Sequence, residues 1–125
     1  MEENEITIKE NVIRDKSFKF SIRIVKLYQY LCNDKKEYNL SKQILKSGTS
    51  IGANVEEALG GQSRADFIAK LAVAYEEARE THYWIRILRD TNYITTKQAN
   101  SILTDIDEIR KIIAKIQITS KKKNF

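Results

Sequence analysis

The sequence predicts an all-α fold, four helices in an up-down-up-down antiparallel bundle, and three observations point to it. Proline is absent and all four glycines fall within residues 48–61, so nothing breaks the other stretches. Apolar residues recur at three-and-four spacing, which gathers side chains on one helix face. The chain has 125 residues, 42% of them apolar, enough to bury one core and too few for two.

The elements follow in order. A first helix over about 16–34 carries Phe20, Ile24, Leu27, Tyr28 and Leu31 on one face. Ser17 or Asp15 is expected to cap it, and Asn33-Asp34-Lys35-Lys36 to end it. A second, over about 40–59, carries Ile44, Gly48, Ile51, Val55 and Ala58 and stops at Gly60-Gly61. The third, over about 63–90, opens on Ser63 with Asp66 three residues on, close to a capping box. The fourth, over about 96–119, opens on Thr95 with Gln98, and Ala99, Ile102, Ile106, Ile109, Ile113 and Ile116 follow without a miss. Residues 1–12 read as an N-terminal extension and 120–125 as a basic tail of one domain spanning 1–125. Strand alternation is confined to Glu5-Ile6-Thr7-Ile8-Lys9.

Composition excludes several function classes. One cysteine rules out a disulfide framework and a cysteine-built metal site, and one histidine removes most metal-hydrolase constellations. The acidic start, Met1-Glu2-Glu3-Asn4-Glu5, is unlike a secretory leader, and no apolar run approaches the ~18 residues of a membrane span. A cytoplasmic protein without a membrane partner is expected.

Charge is uneven within the net +5. Residues 1–15 carry −3, 16–46 carry +6, 47–94 carry −2 and 95–125 carry +4. Basic outer thirds suit a polyanionic partner, although a merely solvated surface gives the same asymmetry. The third helix is apolar around most of its girth, through Phe67-Ile68-Ala69-Lys70-Leu71-Ala72-Val73-Ala74-Tyr75 and Tyr83-Trp84-Ile85-Arg86-Ile87-Leu88. Such a surface needs a cover, so a homo-oligomer is expected, with Phe67, Tyr75, Tyr83, Trp84 and Ile87 at its interface. Gly48 and Gly52, four apart among small residues, are expected to let a second helix approach closely.

Catalytic constellations do not assemble on this reading. A di-metal bundle site needs Glu-x-x-His on two helices, and Arg79 stands three before His82, the one histidine. His82 falls on the apolar stripe of Ile68, Leu71, Tyr75, Ala78 and Ile85, as a satisfied buried or interface histidine would. Cys32 reads as a boundary hydrophobe. Gly60-Gly61-Gln62-Ser63 lacks the lysine and the preceding strand of a phosphate loop. Gln62 and Arg64 at a helix start could receive an anion, but with Asn54, Glu57, Ser63 and Asp66 they equally cap and stitch the turn. No catalytic residue, cofactor or metal is expected.

Three runs then carry a resemblance: Ser47-Gly48-Thr49-Ser50-Ile51-Gly52-Ala53-Asn54-Val55-Glu56-Glu57-Ala58, Gln62-Ser63-Arg64-Ala65-Asp66-Phe67, and Ala78-Arg79-Glu80-Thr81-His82-Tyr83-Trp84-Ile85. Together with Lys16-Ser17 and Arg23-Ile24-Val25-Lys26-Leu27-Tyr28, the chain resembles the bacterial four-helix bundle family of 23S ribosomal RNA intervening-sequence proteins over about residues 12–118. The resemblance implies an up-down bundle assembling as a ring-like homopentamer, with no family-wide catalytic residues. Members of that family are encoded within insertions of large-subunit ribosomal RNA genes in some bacteria, and elsewhere in genomes without them. A related group serves reverse transcriptases as an accessory subunit with a basic, nucleic-acid-binding ring surface. The positions here that could act so are Lys16, Lys19, Arg23, Lys26, Arg110, Lys111, Lys115, Lys121, Lys122 and Lys123. Two functions stay open: an oligomer that binds RNA or DNA, structured RNA above all, through these cations, and a scaffold for another protein in which the lysines only solvate.

Overall fold

The computed structural model describes residues 2–122, which form four helices and no strand. Helix α1 spans Glu2–Asn33, α2 Leu40–Leu59, α3 Arg64–Asp90 and α4 Thr96–Lys122. They pack as a bundle: α1 lies against α2 and α4, and α3 against the same two.

Helix α1 begins far ahead of position 16, so the expected extension over 1–12, with its strand-like Glu5–Lys9 segment, is helical where it is described. The core stripe begins earlier than Phe20. Ile13 is fully buried and stands on the same face as Ser17, Phe20 and Ile24, and no Gly or Pro upstream stops a helix already nucleated. Neither Ser17 nor Asp15 is therefore a cap. Ser17 lies inside the helix and its hydroxyl donates to the Arg14 carbonyl at 3.2 Å, while Asp15 pairs with Lys19 at 3.0 Å. At the other end, α4 runs past 119 with Ser120 buried, and residues 123–125 of the basic tail lie outside the described residues.

The core is built from the faces read off the sequence. Ile44, Gly48, Ile51, Val55 and Ala58 of α2 are buried, as are Ala99, Ile102, Ile106, Ile109, Ile113 and Ile116 of α4. Leu71, Ala74, Ala78, Ile85 and Leu88 of α3 complete it with Phe20, Ile24 and Leu31 of α1. Gly48 faces Ile24, and Gly52 faces Ser21 and the Ser17 carbonyl, so both glycines serve the α1–α2 seam. Across α2–α3, the buried Ser47 and Thr81 hydroxyls lie 3.0 Å apart, and Glu57 pairs with Lys70 at 3.1 Å.

Caps terminate the helices where the chain provides acceptors. Ser63 Oγ accepts from the Asp66 N–H at 3.0 Å and opens α3. At α4 the box is reciprocal: Thr95 Oγ1 accepts from the Gln98 N–H at 3.1 Å, and Gln98 Oε1 accepts from the Thr95 N–H at 2.9 Å. Thr95→Ala is expected to cost about 1 kcal/mol, visible as a lower thermal midpoint, with little more lost on adding Gln98→Ala because the two bonds form one unit. Helix α2 does stop at Gly60, yet that residue keeps a negative φ of −91°. The left-handed conformation falls instead to Lys36 (φ 55°) after α1 and to Asn92 (φ 66°) after α3, where the Tyr93 N–H reaches the Leu88 carbonyl at 2.9 Å and closes a Schellman turn. Helix α2 opens on an unexpected acceptor. Asn39 makes no side-chain cap bond, and the Glu37 carboxylate accepts from the N–H groups of Ser41, Leu40 and Asn39 at 2.8, 3.1 and 3.3 Å.

Candidate nucleic-acid interface

The cations proposed for phosphate contact divide into two sets. On α1, Lys16 pairs with Glu108 at 3.0 Å, Lys19 with Asp15 at 3.0 Å, and Arg23 with Asp105 at 2.7 Å and the Ser101 hydroxyl at 2.8 Å. They line an α1–α4 groove of about 280 Å³ with Phe20, Asp105, Glu108 and Ile109, so α4 carboxylates answer this basic face. Each pair is partly exposed and contributes about 0–1 kcal/mol, little enough for a competing phosphate to exchange. Lys26, Lys111, Lys115 and Lys121 are exposed and have no ion-pair partner among the described residues. The Lys122 side chain and Lys123 lie outside that set.

A second cationic region lies along α3–α4; of its cations the sequence picks out Arg110 and Lys111 but not Arg79 or Arg86. A groove of about 600 Å³ is lined by Glu76, Arg79, Glu80, His82, Tyr83, Arg86 and Arg110. Arg110 connects it to a neighbouring groove of about 310 Å³ that includes Tyr75, Asp107 and Lys111. The Arg110 guanidinium lies 5.2 Å over the Tyr75 ring, 3.6 Å from Asp107, and its buried Nε has no acceptor. Arg79 holds Glu76 loosely, at 3.4 Å, and Arg86 has no carboxylate within 4 Å among the described residues, lying 5.9 Å over Tyr83. Glu80, on the wall of the same groove, accepts from Trp84 Nε1 at 3.5 Å. His82 is about a quarter exposed and 3.8 Å from Asp107. Burial pushes its imidazole below the ordinary value, Asp107 opposes, and Arg86, Arg110 and Arg89 add to the depression, which keeps it neutral at pH 7.

The apolar surface is also distributed differently from the sequence reading. Phe67, Tyr75 and Trp84 pack against the chain's own core, and Ile87 is half-buried. Tyr83 is 49% exposed, with its ring edge-on to Trp84 at 5.1 Å. The long exposed stripe is on α1, outside its core face: Ile8, Val12, Phe18, Ile22 and Val25, with Phe18 61% exposed. Helix α3 adds Val73.

The remaining polar positions are held locally. Arg64 Nη1 donates to the Ser120 carbonyl at 3.4 Å, tying the start of α3 to the end of α4, and Cys32 Sγ lies 3.7 Å from Ser41 Oγ. Among the described residues no three His, Cys, Asp or Glu side chains gather as a metal site, and no helix is long and apolar enough to cross a membrane.

Four packed helices, charged seams and an exposed apolar stripe on α1 define a small all-α bundle protein. The family described as 23S rRNA-intervening sequence protein matches residues 9–115, and the chain belongs to it. The bundle is similar to the crystal structure of a protein of unknown function from the S23 ribosomal protein family of Bacteroides thetaiotaomicron VPI-5482. The two are 55% identical with a TM-score of 0.86, over 87% of this chain and 97% of that one. Among curated proteins none matches.

Proposed function

We propose that the chain is a non-catalytic, cytoplasmic, self-assembling protein whose up-down bundle joins others in a ring-like homo-oligomer, a pentamer by family resemblance, and binds nucleic acid, structured RNA above all, through its unpaired cations. The observation that carries this is the α1 stripe of Ile8, Val12, Phe18, Ile22 and Val25, which faces outward and needs a partner to leave water. Antiparallel order is supported by the α1–α4 pairs, in which Lys16 meets Glu108 while the later Arg23 meets the earlier Asp105 and Ser101. Repetition of Lys26, Lys111, Lys115 and Lys121 around an assembly would multiply weak phosphate contacts into avidity.

Light scattering combined with a mobility-shift assay at two salt concentrations tests both halves. The wild type is expected to be oligomeric at micromolar concentration, and Phe18→Glu with Ile22→Glu is expected to give a helical monomer with weakened RNA binding. Affinity should fall steeply with salt, with a slope of about 0.9 per phosphate neutralised on a duplex. A monomeric wild type rejects the assembly, and salt-indifferent binding rejects the phosphate contacts. The ion pairs of Lys16, Lys19 and Arg23 favour a second reading, a scaffold for another protein. On that reading, replacing these three and Lys26 by Gln leaves partner recovery unchanged and no RNA is bound.

A further inference from the structure

We infer that the α3–α4 seam is a binding track for an unpaired nucleic-acid strand, with phosphates held by Arg79, Arg86, Arg110 and Lys111 and a base stacked on Tyr83. This rests on the nucleic-acid reading above and names where the strand is held and in what form: the unpaired loops and ends of a structured RNA, not its duplex stems, enter the seam.

The seam differs from the α1 face in how its cations are occupied. Lys16, Lys19 and Arg23 meet carboxylates at 2.7–3.0 Å, whereas Arg79 and Arg110 meet theirs at 3.4 and 3.6 Å. Arg86 and Lys111 meet none among the described residues, so the guanidinium donors of the seam are under-used. A phosphodiester supplies the acceptors that guanidinium forks fit best.

Two features select a single strand over a duplex. Tyr83 presents an aromatic surface, 49% exposed, within the same groove as Arg79, Arg86 and Arg110. The Arg86 guanidinium 5.9 Å over its ring is exposed and can move to a phosphate as a base stacks there. Bases stacked inside a duplex cannot use it, while a splayed base can, and aromatic stacking tolerates any base. The groove also carries Glu76 and Glu80, which would repel an unbroken row of duplex phosphates. A single strand alternates charged phosphate with uncharged base and can place bases beside those carboxylates. The groove of about 600 Å³ is open to solvent, so a strand can enter it from the side.

Fluorescence anisotropy with the full chain tests the inference, using a labelled, unstructured RNA oligonucleotide of roughly a dozen nucleotides and the same sequence as a duplex. The wild type is expected to prefer the single strand. Tyr83→Ala should weaken single-strand binding about tenfold and leave duplex binding unchanged. Arg79→Gln with Arg86→Gln should weaken single-strand binding at least tenfold and flatten its salt dependence by about 0.7 per phosphate contact removed. All three positions are exposed, and thermal melts of the variants should match the wild type. Wild-type preference for the duplex, or single-strand binding unmoved by these substitutions, overturns the track and leaves the broader function standing. Binding of neither RNA at low salt overturns both.

Discussion

Gly48→Val is expected to destabilise the chain by about 3 kcal/mol, the upper end of what overpacking a core costs. A Cβ at position 48 would lie 2.8 Å from both Cγ1 and Cγ2 of Ile24. Those atoms branch directly from the Ile24 Cβ, so they cannot swing away as the end of a long side chain could. Ile24 is itself fully buried, with core on its other sides. The alternative is to separate α1 from α2, which is blocked next door, where Gly52 holds the Ser17 carbonyl within 3.2 Å of its own would-be Cβ. Gly48→Ala gains about 1 kcal/mol of helix propensity and should therefore lose less. Moving the volume across the seam is the decisive control. Ile24→Ala alone should cost about 2–5 kcal/mol, and Ile24→Ala with Gly48→Val should cost clearly less than the sum of the two. Denaturant melts of the four proteins measure this. Additive losses would mean that the two positions do not share one space.

Glu37→Ala is expected to cost about 2 kcal/mol at neutral pH, and the loss should fade in acid. The carboxylate is the acceptor for three N–H groups at the start of α2, bonds strengthened by its charge and by the positive end of the helix. Burial works to raise the Glu37 carboxyl, but the N–H groups of Ser41, Leu40 and Asn39 outweigh it and hold it below the ordinary value. Because the folded state holds the ionised form, the stabilisation is complete above the unfolded value of about 4.3 and is lost as pH falls through the lower folded value. Wild type and Glu37→Ala should therefore differ most near pH 7 and converge below about pH 4. Parallel stability curves across that window would assign the loss to packing rather than to the charged cap.

The failures of the sequence reading have physical causes. No cap for α2 is legible in the sequence, because Asn39 beside the helix makes no side-chain bond and the longer Glu37 side chain reaches forward over the turn instead. The early start of α1 is hidden because Val12 and Ile13 stand alone in the polar stretch from Lys9 to Lys16, and only packing separates the buried Ile13 from the exposed Val12. Arg79 and Arg86 were hidden inside a segment whose net charge is −2. Averaging over residues 47–94 cannot register that the fold brings these two arginines into one groove with Arg110 of α4.

By itself, the sequence determined that the chain forms helices, where α2 and α3 begin and end, where α4 begins, and which stripes of α2 and α4 are buried. Apolar periodicity, hydroxyl caps and the absence of proline act within a few residues of one another, and that proximity makes them legible. Only the tertiary structure decided which charges are spent and which surfaces are left over. It joined Arg23 to Asp105 across 82 positions, laid Arg110 over Tyr75 across 35, and left Phe18 and Ile22 facing outward. Those outcomes depend on which helix faces meet, and packing settles that between segments that are remote along the chain.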